Sequence, residues 1–201
     1  EYLGCKPEDV DLYGEYVTEL ATGKQISRSQ IGNNVMCFSN APLSASEAFS
    51  SPVSPPPFMV GMAEVEIDKE TGVLELIDYV AVVDCGTVIN PNLARVQVEG
   101  GIAQGIGMAL YEDVVYNEKG KNFSNSLMQY KIPTRLDVGT IRVEFESSYE
   151  PTGPFGAKSI GEIVINTPSP AISNAIQNAT GVIIRELPMT AEKIYRGISG
   201  R

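Results

Sequence analysis

The 201-residue sequence predicts an α+β fold, a mixed sheet with a β-hairpin packed against helices. Three observations carry this expectation. Two runs rich in Val, Ile and Leu, Met59 to Ile67 and Val73 to Val83, flank the turn Asp68-Lys69-Glu70-Thr71-Gly72, which is a hairpin pattern. Asn90-Pro91 opens a helical stretch, because Asn suits the cap and the missing N–H of Pro has no partner in a first turn anyway. Strand-like and helix-like segments are mixed along the chain, with no internal repeat.

Residues 1–40 carry the weakest signals. Pro7-Glu8-Asp9 and Ala21-Thr22-Gly23-Lys24 are turns around one short strand, Leu12 to Leu20, and Ser27 caps a single helical turn from Arg28 to Ile31. Ser50-Ser51-Pro52-Val53-Ser54-Pro55-Pro56-Pro57 is the strongest breaker and reads as a polyproline-like connector. It divides an expected loosely attached lobe, residues 1–50, from a second body, residues 51–201. In the hairpin, Ala63, Val65 and Ile67 alternate with Glu64 and Glu66, whereas the unbroken run Tyr79-Val80-Ala81-Val82-Val83 predicts a strand buried on both faces. The helix after Asn90 runs to about Glu112, and Asn117-Glu118-Lys119-Gly120 is a turn. Ile141 to Ser147 is a strand with Ile141, Val143 and Phe145 inward. Ser169-Pro170 starts a helix with Ala171, Ile172, Ala175, Ile176 and Ala179 on one stripe, closed by Gly181. Val182 to Leu187 is expected as a short strand, and Thr190 caps a last helix.

Composition narrows the function classes. A net charge of −10 argues against nucleic acid, whose phosphates require Lys and Arg, and against a polybasic membrane patch. No apolar run reaches the roughly 18 residues of a membrane helix. The start Glu1-Tyr-Leu-Gly-Cys-Lys6 has neither an initiator Met nor a secretory layout, as expected of a stretch from the middle of a longer protein. Cys5, Cys37 and Cys85 are odd in number and widely spaced, which fits reduced thiols in a cytoplasmic protein. The chain has no histidine, so Ser-His and Cys-His nucleophiles and His-ligated zinc are excluded. Proton transfer must fall to Asp, Glu, Lys, Tyr or Cys, or reactivity must come from a cofactor.

Two segments carry chemistry. The helix after Asn90 contains Gly100, Gly101, Gly105 and Gly107, each costing about 1 kcal/mol relative to Ala in a helix interior. Helical spacing aligns Gln97, Gly100, Gly101, Gln104 and Gly107 as a smooth track with two amides on it. An amide donates and accepts at once, which suits a heteroaromatic ring or a phosphate edge; helix-on-helix packing through small residues explains the glycines equally well. The second segment, Pro151-Thr-Gly-Pro-Phe-Gly-Ala-Lys-Ser-Ile-Gly-Glu162, is a glycine- and proline-shaped loop ending on a carboxylate. An apolar, glycine-walled setting would tune Glu162 as a base near neutral pH, while an ordinary solvated loop Glu beside Lys158 is the bland alternative. A Ser-Lys hydrolase on Lys158 and Ser159 is disfavoured because adjacent residues rarely face one another.

In order and spacing these segments resemble the C-terminal part of the molybdenum-cofactor-binding subunit in the xanthine dehydrogenase and aldehyde oxidase family. The matching text is Ala63-Glu-Val-Glu-Ile-Asp-Lys-Glu-Thr-Gly72, Val83-Asp-Cys-Gly-Thr-Val-Ile-Asn-Pro91, Gln97-Val-Glu-Gly-Gly-Ile-Ala-Gln-Gly-Ile-Gly107, Tyr130-Lys-Ile-Pro133, Gly153-Pro-Phe-Gly-Ala-Lys-Ser-Ile-Gly-Glu162 and Glu186-Leu-Pro-Met-Thr-Ala-Glu-Lys193. The resemblance spans roughly residues 55 to 195 and is looser over residues 1–40. It implies a molybdopterin-binding domain of that type, with Glu162 as catalytic base beside molybdenum. Gln97 and Gln104, with Gly100, Gly101, Lys158 and Gly161, would lie at the cofactor. Ser159-Ile160 stands where the family commonly has Gly then Val, and Ile163 where it has Pro, changes that bear on loop shape without removing the base.

The same resemblance implies a molybdenum hydroxylase that oxidises an N-heterocycle, xanthine- or hypoxanthine-like, or an aldehyde, with oxygen derived from water. It implies molybdenum-molybdopterin, in the cytosine dinucleotide form for a bacterial source. FAD and 2Fe-2S clusters belong on other domains or subunits, because the clusters need Cys sets this chain lacks. The upstream part of the molybdenum subunit supplies the other wall of the site, so the chain alone is expected to be inactive. A non-catalytic structural or assembly module that keeps the fold is the rival from another class; retention of Glu162, Gln97 and the glycines argues against it. Fold does not choose the substrate.

Overall fold

A computed structural model describes residues 2–38, 44, 46–48 and 50–200. The chain divides into two compact units at the Ser50–Ser51 junction. Among the described residues no helix is long and apolar enough to cross a membrane.

In the first unit a short 3-10 turn, Pro7–Asp9, leads into β1 (Val10–Tyr13), β2 (Tyr16–Glu19) and β3 (Gln25–Ser27), an antiparallel meander followed by α1 (Arg28–Phe38). The single strand expected over Leu12 to Leu20 is therefore two. Gly14 adopts φ 57°, and this left-handed step with Glu15 folds Tyr13 back onto Tyr16. Ser27 Oγ does accept from the Gln30 N–H at 3.1 Å. The helix then continues past the expected single turn, because Gly32, Asn33 and Asn34 weaken a helix without stopping it.

The second unit is built on a three-stranded sheet in the order β4 (Phe58–Ile67), β5 (Leu74–Asp84), β6 (Thr140–Phe145). β4 and β5 form the antiparallel hairpin, and its turn is closed by Gly72 N–H donating to the Asp68 carbonyl at 2.7 Å. β6 joins β5 in parallel, and the crossover between them carries α2 (Pro91–Leu110). Asn90 caps α2, its Oδ1 accepting from the Leu93 N–H at 3.1 Å. α3 (Pro168–Thr180) ends at Gly181 with φ 76°, and α4 (Ala191–Ser199) starts at Thr190, whose hydroxyl accepts from the Lys193 N–H.

The core lies between one face of the sheet and these helices. Tyr79, Ala81 and Val83 of β5, Val98, Ile102 and Ile106 of α2, Ile172 and Ile176 of α3 and Ile194 of α4 are fully buried. The expectation that β5 is buried on both faces is corrected: Ile77 and Val82 are exposed, so β5 alternates like a strand with one covered face. Val182 to Leu187 is not a strand, because the segment finds no neighbouring strand to pair with. The Tyr79 hydroxyl donates to Thr167 Oγ1 at 2.9 Å and so ties the centre of β5 to the entrance of α3.

Candidate functional site

Two stripes of α2 have opposite fates. Val98, Ile102 and Ile106 are fully buried and fix the helix on the sheet, while Gln97, Gly100 and Gln104 are exposed on the other side. After β6 the chain returns toward this exposed stripe and forms a 3-10 turn, Ile163–Ile165, with Glu162 immediately before it. Val164 of that turn is 2% exposed and packs on Gly101, where a Cβ would collide with the valine side chain. Glycine at position 101 thus lets the turn approach, and the approach brings Glu162 to the helix.

The product is a cleft of about 500 Å³ bordered by Gln97, Gly100, Gly101, Gln104, Gly161, Glu162 and Asn166. Gln97 Nε2 donates to the Gly161 carbonyl at 3.0 Å, which pins the residue preceding Glu162 and leaves the Gln97 amide oxygen as an acceptor. A Cβ added to Gly100 or to Gly161 meets nothing within 4 Å. A second hollow of about 420 Å³ adjoins the first through Gln97 and Gly161 and includes Cys85, Leu93, Lys158 and Ile160.

The expected track along α2 is shorter than its spacing suggested. Gly107, its far end, is occupied by Glu112 and Pro133, so it serves packing, as do Gly101 within the track and, off the track, Gly105 against Pro168. Glu162 is exposed and makes no capping bond with its side chain, so the apolar enclosure expected around it is not supplied by the described residues.

Lys158 is placed differently from the expectation. Its ammonium lies 2.6 Å from Asp84 Oδ2 and 5.2 Å from the centroid of the Phe58 ring, and its side chain is 8% exposed. Its ammonium is therefore engaged with the ends of β4 and β5, while the residue also borders the second hollow. Asp84 also accepts from Ser148 Oγ at 2.5 Å and from the Gly86 N–H at 3.0 Å. Lys158 first, then Ser148 and Gly86, hold the Asp84 carboxyl down at about 2. Burial pushes the neighbouring Cys85 thiol up. The backbone is stitched at the same place, with Thr87 N–H donating to the Gly156 carbonyl at 2.8 Å and Lys158 N–H to the Cys85 carbonyl at 2.7 Å. Asp84 carries no role in the sequence reading. Its signal was a lone carboxylate closing an apolar strand, with one unpartnered Lys in the glycine loop.

The family model for the molybdopterin cofactor-binding domain matches residues 1–139, which take in the α2 face and stop before Glu162. The probable hypoxanthine oxidase XdhD of Escherichia coli K12 is 37% identical over 146 residues, covering 71% of this chain and 15% of that protein. The gamma subunit of the 6-hydroxypseudooxynicotine dehydrogenase complex of Paenarthrobacter nicotinovorans is 32% identical over 100% of this chain and 26% of its own length. Among solved structures, quinoline 2-oxidoreductase from Pseudomonas putida 86 superposes with a TM-score of 0.81 at 30% identity, over 100% of this chain and 27% of that one. The chain thus spans about a quarter or less of the length of these relatives.

Proposed function

The chain belongs to the molybdopterin cofactor-binding domains of the xanthine dehydrogenase and aldehyde oxidase family, and from that premise we propose that it forms one wall of the active site of a molybdenum hydroxylase, with Glu162 as general base. The observation that carries the reading is the single cleft bordered by both the amide-bearing face of α2 and the Gly161–Glu162 corner. The residues fit a pterin. Gly100 and Gly161 leave the wall open where any Cβ would project, and Gln97, Gln104 and Asn166 present amides able to donate and accept at a heteroaromatic edge.

When bound, the molybdenum cofactor supplies the redox centre that takes up the substrate's electrons and delivers oxygen derived from water. The chain's own share is proton transfer and placement. A Glu162 carboxylate oxygen is the chain's proton acceptor in the cleft and would take up the proton that the hydroxylation releases. Gln97 holds the Gly161 carbonyl, and through it the base, and its free amide oxygen would be available to accept from the pterin. Further polypeptide over the exposed Glu162 would dry the site and strengthen each of these contacts.

The substrate is an N-heterocycle of the xanthine or hypoxanthine kind, or an aldehyde. The names of the hypoxanthine and quinoline oxidising relatives support the heterocycle. The cofactor is molybdenum-molybdopterin, in the cytosine dinucleotide form for a bacterial source. The partners are the upstream part of the molybdenum subunit and domains or subunits carrying FAD and 2Fe-2S clusters; one relative is named as a subunit of a dehydrogenase complex. The location is the cytoplasm, where the free Cys5, Cys37 and Cys85 would stay reduced.

The test is Glu162→Gln in the complete enzyme, read as turnover per molybdenum atom with metal determined on the same sample. Molybdenum content should stay near normal while turnover falls by roughly 10²–10⁴-fold. Gln97→Ala should lose molybdenum as well as activity, because it removes a cofactor contact and frees Gly161. Near-normal turnover per metal in Glu162→Gln would show that Glu162 is not the base.

A further inference from the structure

The loop that delivers Glu162 has few apolar anchors before its end. From Glu146 to Glu162 only Gly156 is buried and Ile160 packs half-buried on the core, with Val164 seated on Gly101 just beyond, so polar ties share the work of holding the earlier part of the loop. Beside the backbone bonds at Cys85 and Thr87, two side-chain ties of the loop, from Ser148 and Lys158, converge on Asp84, the last residue of β5. Its Oδ1 accepts from Ser148 Oγ and the Gly86 N–H, and its Oδ2 accepts from Lys158 Nζ at 2.6 Å. The side chains of Lys158 and Asp84 are only 8% and 23% exposed, so water screens the pair weakly and its geometry is held firmly. The next tie along the chain is the Gln97 amide on the Gly161 carbonyl, directly before Glu162.

We propose that the Asp84–Lys158 ion pair is the positioning device of the candidate base: it anchors the near end of the span Lys158–Glu162, whose far end Gln97 holds, and so sets where the Glu162 carboxylate stands in the cleft. This rests on the reading of Glu162 as the base. Neither Asp84 nor Lys158 touches the reacting atoms, and both act through the loop. Asp84 stays ionised at any pH above about 4 because its carboxyl is held at about 2, so the anchor does not come loose where an enzyme of this kind works.

The experiment uses the complete, metal-loaded enzyme with Lys158→Met, Lys158→Arg and the double variant Asp84→Asn/Lys158→Gln. The double variant leaves no charge uncompensated and carries the test if Lys158→Met does not accumulate folded. Lys158→Met and the double variant should keep their molybdenum and their substrate KM, and lose about 10–10²-fold in turnover per molybdenum atom, the scale of a misplacement near 1 Å. Lys158→Arg should recover most of the loss. Hydrogen exchange should accelerate in peptides covering residues 153–162 and stay unchanged in α2 and α3. Normal turnover per metal in Lys158→Met, or unaltered exchange in the loop, overturns the proposal. So does loss of molybdenum in parallel with turnover, which would make the pair a cofactor-binding element. Glu162→Gln measured alongside separates the two claims. If it collapses while Lys158→Met turns over normally, only the positioning claim falls. If Glu162→Gln turns over normally, the base assignment falls and the positioning claim falls with it, whatever the exchange data say about the loop.

Discussion

Residues 2–38 and residues 51–200 both form regular secondary structure, yet only the second region buries side chains. In the first, β1, β2, β3 and α1 make their ladders and helical bonds while no described residue is fully buried, and Leu12, Tyr13, Leu20, Met36 and Phe38 stay exposed. In the second, side chains from β5, β6, α2, α3 and α4 converge into one core. The difference teaches that hydrogen-bonded geometry and stability are separable. A backbone hydrogen bond nets about 1 kcal/mol, because water is given up to make it, whereas ordering one residue costs about 1–2 kcal/mol. Strands without a core therefore do not hold themselves. The candidate site belongs to the region with the core, since α2 can offer Gln97, Gly100 and Gln104 outward only because Val98, Ile102 and Ile106 fix it inward.

The largest expected effect tests that contrast outright. Residues 51–201 produced alone should melt in one cooperative transition by circular dichroism, while residues 1–50 alone should show none. A cooperative transition in the short piece would break the comparison.

Single core truncations sharpen it. Ile102→Ala or Ile106→Ala should cost about 2–5 kcal/mol in urea titrations of the full chain, against less than about 1 kcal/mol for Ile26→Ala in β3. Equal losses at both places would mean that the first unit is packed as tightly as the second.

Neighbouring glycines on α2 should respond with opposite signs. Gly101→Ala pushes a methyl group into Val164 and should destabilise by about 1–3 kcal/mol. Gly100→Ala meets open space and should stabilise by up to about 1 kcal/mol through helix propensity. In the complete enzyme, however, it should lower molybdenum content, because the added methyl group projects into the cleft. Unchanged metal content in Gly100→Ala would remove that position from the cofactor wall.

The smallest effect is a pH dependence. The folded-state carboxyl of Asp84 lies below its ordinary value, at about 2 against 3.8, so its contribution is complete above pH 4 and fades as pH falls toward 2. The Tm of Asp84→Asn should sit below that of the unaltered chain at pH 6, and the gap should close between pH 4 and pH 2. A gap that stays constant across this window would show that the pair contributes nothing through its charge.

What the sequence determined by itself is written in local signals. Asp68 to Gly72 sets the hairpin turn, Asn90-Pro91 starts α2, Gly181 stops α3 and Thr190 starts α4, since each concerns dihedral angles or orphaned backbone groups within a few residues. The motif order also carried the family and the pairing of the α2 stripe with the Glu162 loop. Tertiary structure decided the rest. Tyr79 to Val83 reads as apolar throughout, but whether a second layer covers its other face depends on what packs there. Val182 to Leu187 has strand composition and no strand to join. Gly100 and Gly101 are identical as letters and adjacent in the chain, yet one faces open space and the other Val164. Lys158 reads in the sequence only as a cation in the glycine loop, and the fold pairs that cation with Asp84, 74 residues away. Spacing along a chain says which direction a side chain leaves its element, and only the folded chain says what it meets there.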